Sequence, residues 1–424
     1  MKLLLHIGTE KTGSTAFQEW AQANRRALLA QGVWLAQSLG VPNHRALSVM
    51  ARTADEVEDG FAKFGVNSPR DHAAFRALRS AALRDEVAAA RASGATVFLI
   101  TSEHCHSRMK TQAAVDFAAG LLRPFFASIE IVCFLRPQAD MGLSLGSTMS
   151  RCGLHISGRL VRSIGPGNSY YDYHGMLTRW AKAFGDASIV PVPFRPGPVP
   201  WLEDRLGLNT EGFVPEARVN RRLDYRTVAL MNQIVGPSND GARSDVPPIC
   251  RDINAEEVPC TDPLSLSRAD VAAITAKFAD GNAALCARWG SVTVADLTPD
   301  LSRCPEVGTL EQLEQADTAP VLRHVIGRRN AELALARAEA LLLKSMLAEQ
   351  AGKREDAIAL LDQALPLLDK AATFELTAAW AGEQAQSYRA RLARLRSAKA
   401  GRPRRARPVL VRLWRGMNAM RSQA

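Results

Sequence analysis

Lys2-Leu3-Leu4-Leu5-His6-Ile7-Gly8-Thr9-Glu10-Lys11-Thr12-Gly13-Ser14-Thr15 decides how this chain folds. Residues 2–7 are an apolar run of strand length that stops at a glycine. From Ser14 onward Phe17, Trp20, Ala21, Asn24 and Leu28 recur at helical spacing, so a short buried strand, a loop and a helix over 14–29 are expected. A loop that leaves a strand and enters a helix turns free backbone N–H groups, and the positive end of the helix dipole, toward its mouth. That is a place for a phosphate. The nucleoside-triphosphate loop G-x-x-x-x-G-K-[ST] has the separation of Gly8 and Gly13, but Ser14 stands at its lysine position and Lys11 lies inside the loop.

Outward from this unit, strands and helices alternate. The spacing predicts helices at 72–92, 112–123, 138–151 and 172–184, with buried strands at 96–101, 129–135 and 188–194. Such alternation implies an α/β fold, a parallel sheet flanked by helices and of the P-loop nucleotide-binding kind, with its ligand at the carboxyl ends of the strands. Residues 237–264, rich in Pro, Asp, Ser and Asn, read as a long loop before a helix at 266–289. From 318 to 397 the chain is nearly all helix former, and Leu341, Ala348, Gly352, Ala357, Leu361 and Ala364 have the offsets of one tetratricopeptide-like repeat or of a plain helical hairpin. With 424 residues, 47% hydrophobic and 23% charged, there is material for two or three folded units. The expected organisation is an α/β domain over 1–310, an all-helical region over 318–398 and a basic tail over 399–424.

The predicted strand 129–135 ends at Arg136, where a nucleoside triphosphatase would carry an acid that helps to hold Mg2+. A cation there suits a second anion. Ser144, eight residues on and on the second turn of the next helix, can face the same pocket. Two anion sites without an evident magnesium ligand point away from ATP, and no metal is expected.

Lys11-Thr12-Gly13-Ser14-Thr15 and the pair Arg136 and Ser144 together resemble the bacterial type of the sulfotransferase family that uses 3′-phosphoadenosine 5′-phosphosulfate (PAPS). In that family a K-x-G-[ST]-T loop binds the 5′-phosphosulfate, and an Arg with a Ser eight residues later binds the 3′-phosphate. Tyr171-Asp172-Tyr173, Trp180, Phe184-Gly185 and Val192-Pro193-Phe194 look like later segments of bacterial members, so the resemblance covers roughly residues 1–235. It implies sulfuryl transfer from PAPS to a hydroxyl or amine of a carbohydrate or lipid-linked glycan. Lys11 would stabilise the leaving phosphate, Thr12, Gly13, Ser14 and Thr15 would hold the 5′ end, and Arg136 and Ser144 the 3′-phosphate. For the base, Ser102-Glu103-His104-Cys105-His106 at a strand end offers Glu103 first and His104 second; Glu10 is an alternative, or tunes Lys11. Ala16 stands where many members stack an aromatic on adenine, leaving Phe17 or Trp20 as substitutes or as core. No R-K-G-x-x-G loop is present, and Arg151 or Arg195 are the compensating cations. Segments 38–66 and 153–170 are the expected acceptor walls, and Arg159, Arg162 and Tyr170 in the second suit either an acidic glycan or a solvated face.

The net charge of +10 invites a nucleic-acid reading, yet residues 389–424 hold twelve Lys or Arg and no acid. Removing those twelve leaves about −2 for residues 1–388, so the basicity belongs to a tail and no nucleic-acid partner is expected. Pro408 to Met417 mixes apolar residues, Trp414 and arginines as interfacial segments do, so a peripheral membrane contact through 399–424 is one expectation. The first apolar run is too short for a secretory signal, and no stretch approaches the roughly 20 apolar residues of a spanning helix. A cytoplasmic protein, at or away from the inner membrane face, is expected. Seven scattered cysteines without C-x-x-C argue against zinc and against a disulfide framework. Two other readings compete: a nucleotide kinase or NTPase, disfavoured by Ser14 and Arg136, and a degenerate nucleotide-binding scaffold acting through its helical C-terminus, disfavoured by retention of both anion motifs.

Overall fold

The computed structural model describes residues 1–53, 59–217, 222–236, 250, 253, 258–373 and 375–397. The basic tail 399–424 and most of the expected loop 237–264 lie outside the described residues. The chain divides into two compact units, Met1–Arg251 with Pro259–Ala316, and a second that holds the helices beyond Asp317.

The first unit is built on a five-stranded sheet of order β2-β3-β1-β4-β5, in which β1 is Lys2–Gly8, β2 Val33–Leu35, β3 Val97–Thr101, β4 Ser128–Leu135 and β5 Ile189–Pro193. Every pairing is parallel. Alternate side chains of each strand go to opposite faces, and both faces are covered, as a parallel sheet requires. Leu3, Leu5, Ile7, Phe98, Ile100 and Ile131 pack on one side with Val87, Val115, Leu177 and Trp180. On the other, Leu4, Leu99, Val132, Phe134 and Val192 meet Phe17, Trp20, Leu28 and Leu202. With β1 central, its carboxyl end lies between those of β3 and β4, which brings the loops after Gly8, Thr101 and Leu135 together.

Two expected helices are divided. Residues 14–29 form Ser14–Ala23 and Arg25–Ala30, because the Asn24 side chain takes up the Trp20 carbonyl (3.0 Å) and both backbone groups of Val214 (2.9 and 2.7 Å). A short polar side chain bonding to backbone in this way competes with continued helix. Residues 266–289 form Arg268–Lys277 and Ala279–Trp289, meeting at Phe278, whose backbone leaves the helical region while its ring is buried in the core.

The helix Gln138–Arg151, which carries the second anion motif, has glycines one turn apart. A Cβ on Gly142 would lie 2.2 Å from Ile164 Cδ1, and one on Gly146 2.5 Å from Leu160 Cδ2. Their hydrogens let residues 160–164 press directly onto the helix.

The second unit consists of Ala319–Gln350, Arg354–Ala371 and Glu375–Ser397. Gly352, at φ +75°, makes the left-handed turn between the first two. Ala338, Ala357, Leu361, Ala364, Leu368, Tyr388 and Leu392 form its core, the alanines allowing close approach of the helices. Among the described residues no helix is long and apolar enough to cross a membrane.

Candidate active site

The loop after β1 is tied down on both sides. Thr9 donates its N–H and its hydroxyl to the Phe134 carbonyl (3.0 Å each), Thr12 donates its hydroxyl to the Thr9 carbonyl (2.6 Å), and Arg136 donates to the Lys11 carbonyl (2.9 Å). Gly8 has φ +115°, and a Cβ there would come within 3.1 Å of His106 Cβ, so glycine is what lets the segment after β3 approach the loop. Lys11 itself sits at φ +66°, in the left-handed region that a branched or bulky residue avoids. Gly13 starts the helix Ser14–Ala23 without any side-chain cap, which leaves the first N–H groups of that helix for a ligand.

Lys11, Gly13, Ser14, Thr15, Glu103, Arg136 and Ser144 all line one cleft of about 980 Å³. Lys11 Nζ reaches across it to donate to Thr148 Oγ1 (2.6 Å), whose hydroxyl in turn donates to the Ser144 carbonyl (3.2 Å). Burial lowers the Lys11 pKa, with the neighbouring Glu10 charge opposing it. The ammonium is therefore a positioned cation in a poorly hydrated place. Thr12 and His104 do not line the cleft. Thr12 is fully buried with its hydroxyl spent on Thr9, and His104 stands behind Glu103, its Nε2 3.8 Å from Glu103 Oε1 and 3.2 Å from Asn43 Nδ2.

The two glutamates of the cleft are driven in opposite directions. Burial raises the Glu103 pKa, although Gln18 donates a hydrogen bond to its carboxylate. Burial works on Glu10 in the same sense, but hydrogen bonds from Ser107 and from the Tyr170 hydroxyl (2.8 Å to Oε2), with the charge of Arg108 (3.6 Å to Oε1), outweigh it and hold Glu10 below the ordinary carboxylate range. His106 Nδ1 accepts the Glu10 N–H (3.3 Å) and its Nε2 lies 2.8 Å from the Tyr170 carbonyl, which makes Nε2 the protonated nitrogen. The two carboxyl groups of one cleft therefore differ in how readily they hold a proton.

Arg136 has two jobs. One Nη holds the loop through the Lys11 carbonyl, the other lies 3.8 Å from Asp140, and its buried Nε has no hydrogen-bond partner. Its guanidinium lies 5.2 Å from the centre of the Phe194 ring, and its own carbonyl accepts from Tyr173 (2.9 Å). Arg151 and Arg195, the compensating cations expected from the sequence, line the same cleft, and so do Arg222 and Arg303, which sequence reasoning missed. Thr148 was also missed, though its place one turn after Ser144 was a usable signal. Arg222, Arg303 and the wall at 263–266 come from segments without periodicity, and no signal marks them.

Other expectations fall elsewhere. Phe17 and Trp20 are core residues, 2% and 3% exposed, so neither is available to a nucleobase; Phe194 is the aromatic on the cleft wall. Segment 153–170 does not wall the cleft. Because Gly142 and Gly146 draw residues 160–164 onto the helix, His155, Ser157 and Arg162 line a separate cavity of about 600 Å³, and Tyr170 alone reaches back, to Glu10. His6, His44 and His72 are buried structural residues, bonded to Thr101 Oγ1 (2.8 Å), the Ala36 carbonyl (2.6 Å) and the Val49 carbonyl (2.8 Å). The seven cysteines are free thiols. Among the described residues no group of three or more His, Cys, Asp or Glu side chains converges.

No family model matches the chain, and no curated protein matches it. Among solved structures, the crystal structure of a sulfotransferase from Alicyclobacillus acidocaldarius aligns with 69% of this chain and 97% of its own, at 14% identity and a TM-score of 0.37. A likeness at that level carries no weight for function, which rests on the residues of the cleft.

Proposed function

We propose that this chain is a sulfotransferase that moves the sulfuryl group of PAPS to a hydroxyl, or an amine, of a carbohydrate or glycan-like acceptor. The observation that supports this reading is the convergence of Lys11, the uncapped helix N-terminus at Gly13, Arg136 and Glu103 on one cleft. Sulfuryl transfer forms a bond from sulfur to the acceptor oxygen and breaks the bond from sulfur to the donor phosphate oxygen, so negative charge grows on that phosphate. Electrostatic stabilisation of this charge is the main task of the protein. Lys11, held ready by Thr148, supplies the cation, and the N–H groups from Gly13 onward supply dipoles. Glu103, with a pKa raised by burial, takes the acceptor proton as the new bond forms. Glu10 stays ionised beside Lys11 and keeps it charged. Arg136 and Ser144 hold the 3′-phosphate, the group that separates this donor from ATP.

The acceptor class and a contact of the tail 399–424 with an acidic membrane face belong to the same proposal. Co-sedimentation of residues 1–398 and of the full chain with anionic liposomes tests the membrane part; equal sedimentation would discard it. Calorimetric titration with adenosine 3′,5′-bisphosphate and with ATP plus Mg2+ tests the donor class. Tight binding of the bisphosphate and little of ATP is expected. Arg136→Ala removes the loop brace together with the phosphate contact, so Arg136→Lys, which keeps a cation, is measured beside it. Preference for Mg2+-ATP would favour a nucleotide kinase or NTPase, and binding of neither would favour a degenerate scaffold.

A further inference from the structure

The helix Ala319–Gln350 has two apolar faces. Val321, Val325, Ala331, Ala334 and Ala338 are buried. On the other face Leu322, Ile326, Arg329, Leu333, Ala336, Ala340, Leu343 and Leu347 follow one another at alternating steps of four and three, and every one of them is exposed. The large members are far from marginal cases: Ile326 is 56% and Leu347 65% exposed. A sustained 3.5-residue repeat of apolar side chains is the pattern by which two helices coil around each other, and it differs from the 3.6 period of a face that merely covers a core. From Leu322 to Leu347 the ridge is about 38 Å long at 1.5 Å per residue.

The charges beside the ridge identify the occupant. With Ile326, Leu333, Ala340 and Leu347 at the a positions and Leu322, Arg329, Ala336 and Leu343 at d, Glu332 and Glu339 fall at g and Arg323, Arg337 and Lys344 at e. In a parallel pair of identical helices each g residue faces the e residue five positions on in its partner. That sets Glu332 against Arg337 and Glu339 against Lys344, in both directions. An antiparallel pair would set Glu against Glu and cation against cation. Within one chain, Arg337 and Lys344 form no ion pair among the described residues. Arg329, the one polar residue of the ridge, shares Glu332 with Arg328 of its own chain (2.9 and 3.0 Å) and has a long apolar stem to lay along the seam. Ala336 and Ala340 permit close approach of the two backbones.

We propose that two copies of this chain associate through the 322–347 ridge as a parallel, two-fold symmetric coiled coil. The inference is independent of the catalytic reading. Light scattering and sedimentation equilibrium on the full chain are expected to give about twice the 46.1 kDa chain mass at tens of micromolar. Leu333→Glu with Leu347→Glu places charges on the seam and is expected to return the mass to that of one chain, with circular dichroism and the thermal midpoint verifying the fold. Orientation has its own test: Glu332→Lys with Glu339→Lys weakens self-association at least tenfold, and adding Arg337→Glu and Lys344→Glu to the same chain restores it. A parent that sediments as one chain, an assembly larger than two, a dimer indifferent to the seam glutamates, or one indifferent to the charge reversal each overturns the proposal.

Discussion

Replacing Lys11 by Met is the sharpest test of the catalytic reading. Methionine keeps the length of the stem and a Cβ at the same left-handed backbone position, so the loop, which is held through its backbone by Phe134 and Arg136, has no reason to move. What disappears is the ammonium. A unit charge about 4 Å from a developing charge is worth about 4 kcal/mol at an effective dielectric constant of about 20. Removing one donor from a preorganised site of this kind typically costs about 10²–10³ in turnover. The larger end is expected, because the Lys11 ammonium is already anchored by Thr148 and spends no reorganisation in the transition state. Donor affinity is expected to change by less than about tenfold, since Arg136 and the helix N-terminus remain. The assay pairs transfer from a sulfur-35-labelled donor to an acceptor panel with calorimetric binding of adenosine 3′,5′-bisphosphate. Turnover of Lys11→Met within about threefold of the parent would sink the assignment. Loss of binding with unchanged turnover would make Lys11 a ground-state contact.

Glu103 acts as base only when deprotonated, and burial raises its pKa, so kcat/KM is expected to climb with pH through a range above the usual carboxylate value of about 4.3. Glu103→Gln should remove that limb and about 10²–10⁴ of activity; a limb that survives it and vanishes in His104→Gln would transfer the role to His104. Gly142→Ala puts a methyl 2.2 Å from Ile164 Cδ1 and 2.8 Å from Ile164 Cγ1, and Ile164 is fully buried. A loss of about 1–3 kcal/mol in urea unfolding is expected, recovered in part by Ile164→Val, and no loss would mean that the contact is slack. Asp224 is a buried carboxylate that accepts from Arg226, from the N–H groups of Arg226, Thr261 and Asp262, and from the Thr261 hydroxyl. Burial alone would raise its pKa, and these donors depress it well below the ordinary value. Its contribution is thus present above the unfolded value of about 3.9 and is lost as pH falls toward the folded one. Asp224→Asn should cost on the order of 2 kcal/mol at pH 7, with the difference from the parent closing below about pH 4; a pH-independent difference would refute the linkage.

How much of this was legible in the sequence depends on whether the signal is local. The buried strands β1, β3, β4 and β5 announced themselves as apolar runs, and the positions of the loop Lys11 to Thr15 after β1 and of Arg136 at the end of β4 were legible because strand, loop and helix follow one another in the chain. β2 was missed since three residues, Val33 to Leu35, carry no period. The helix breaks at Asn24 and Phe278 depend on tertiary partners, Val214 for one and the core for the other. The same rule divides the cleft. Its floor is made of motifs, while Arg222, Arg303 and residues 263–266 arrive from distant loops whose composition says nothing of where they go.

The acceptor wall at 153–170 fails for a more instructive reason. Its glycines, serines and arginines read as an acceptor wall, but the information that places it lies in Gly142 and Gly146, two residues of a different element, which admit Leu160 and Ile164 and hold residues 160–164 on that helix, leaving only Tyr170 to reach the loop after β1. Helix Ala319–Gln350 shows the converse. Its apolar residues lie on two faces, and on the sequence alone the two sets overlay and cancel each other's periodicity. Only once burial assigns Val321, Val325, Ala334 and Ala338 to the interior do Leu322, Ile326, Leu333, Leu343 and Leu347 separate as a second set with a period of its own. A helix with one apolar face needs only its own unit; the second face on this one is explained by a second chain.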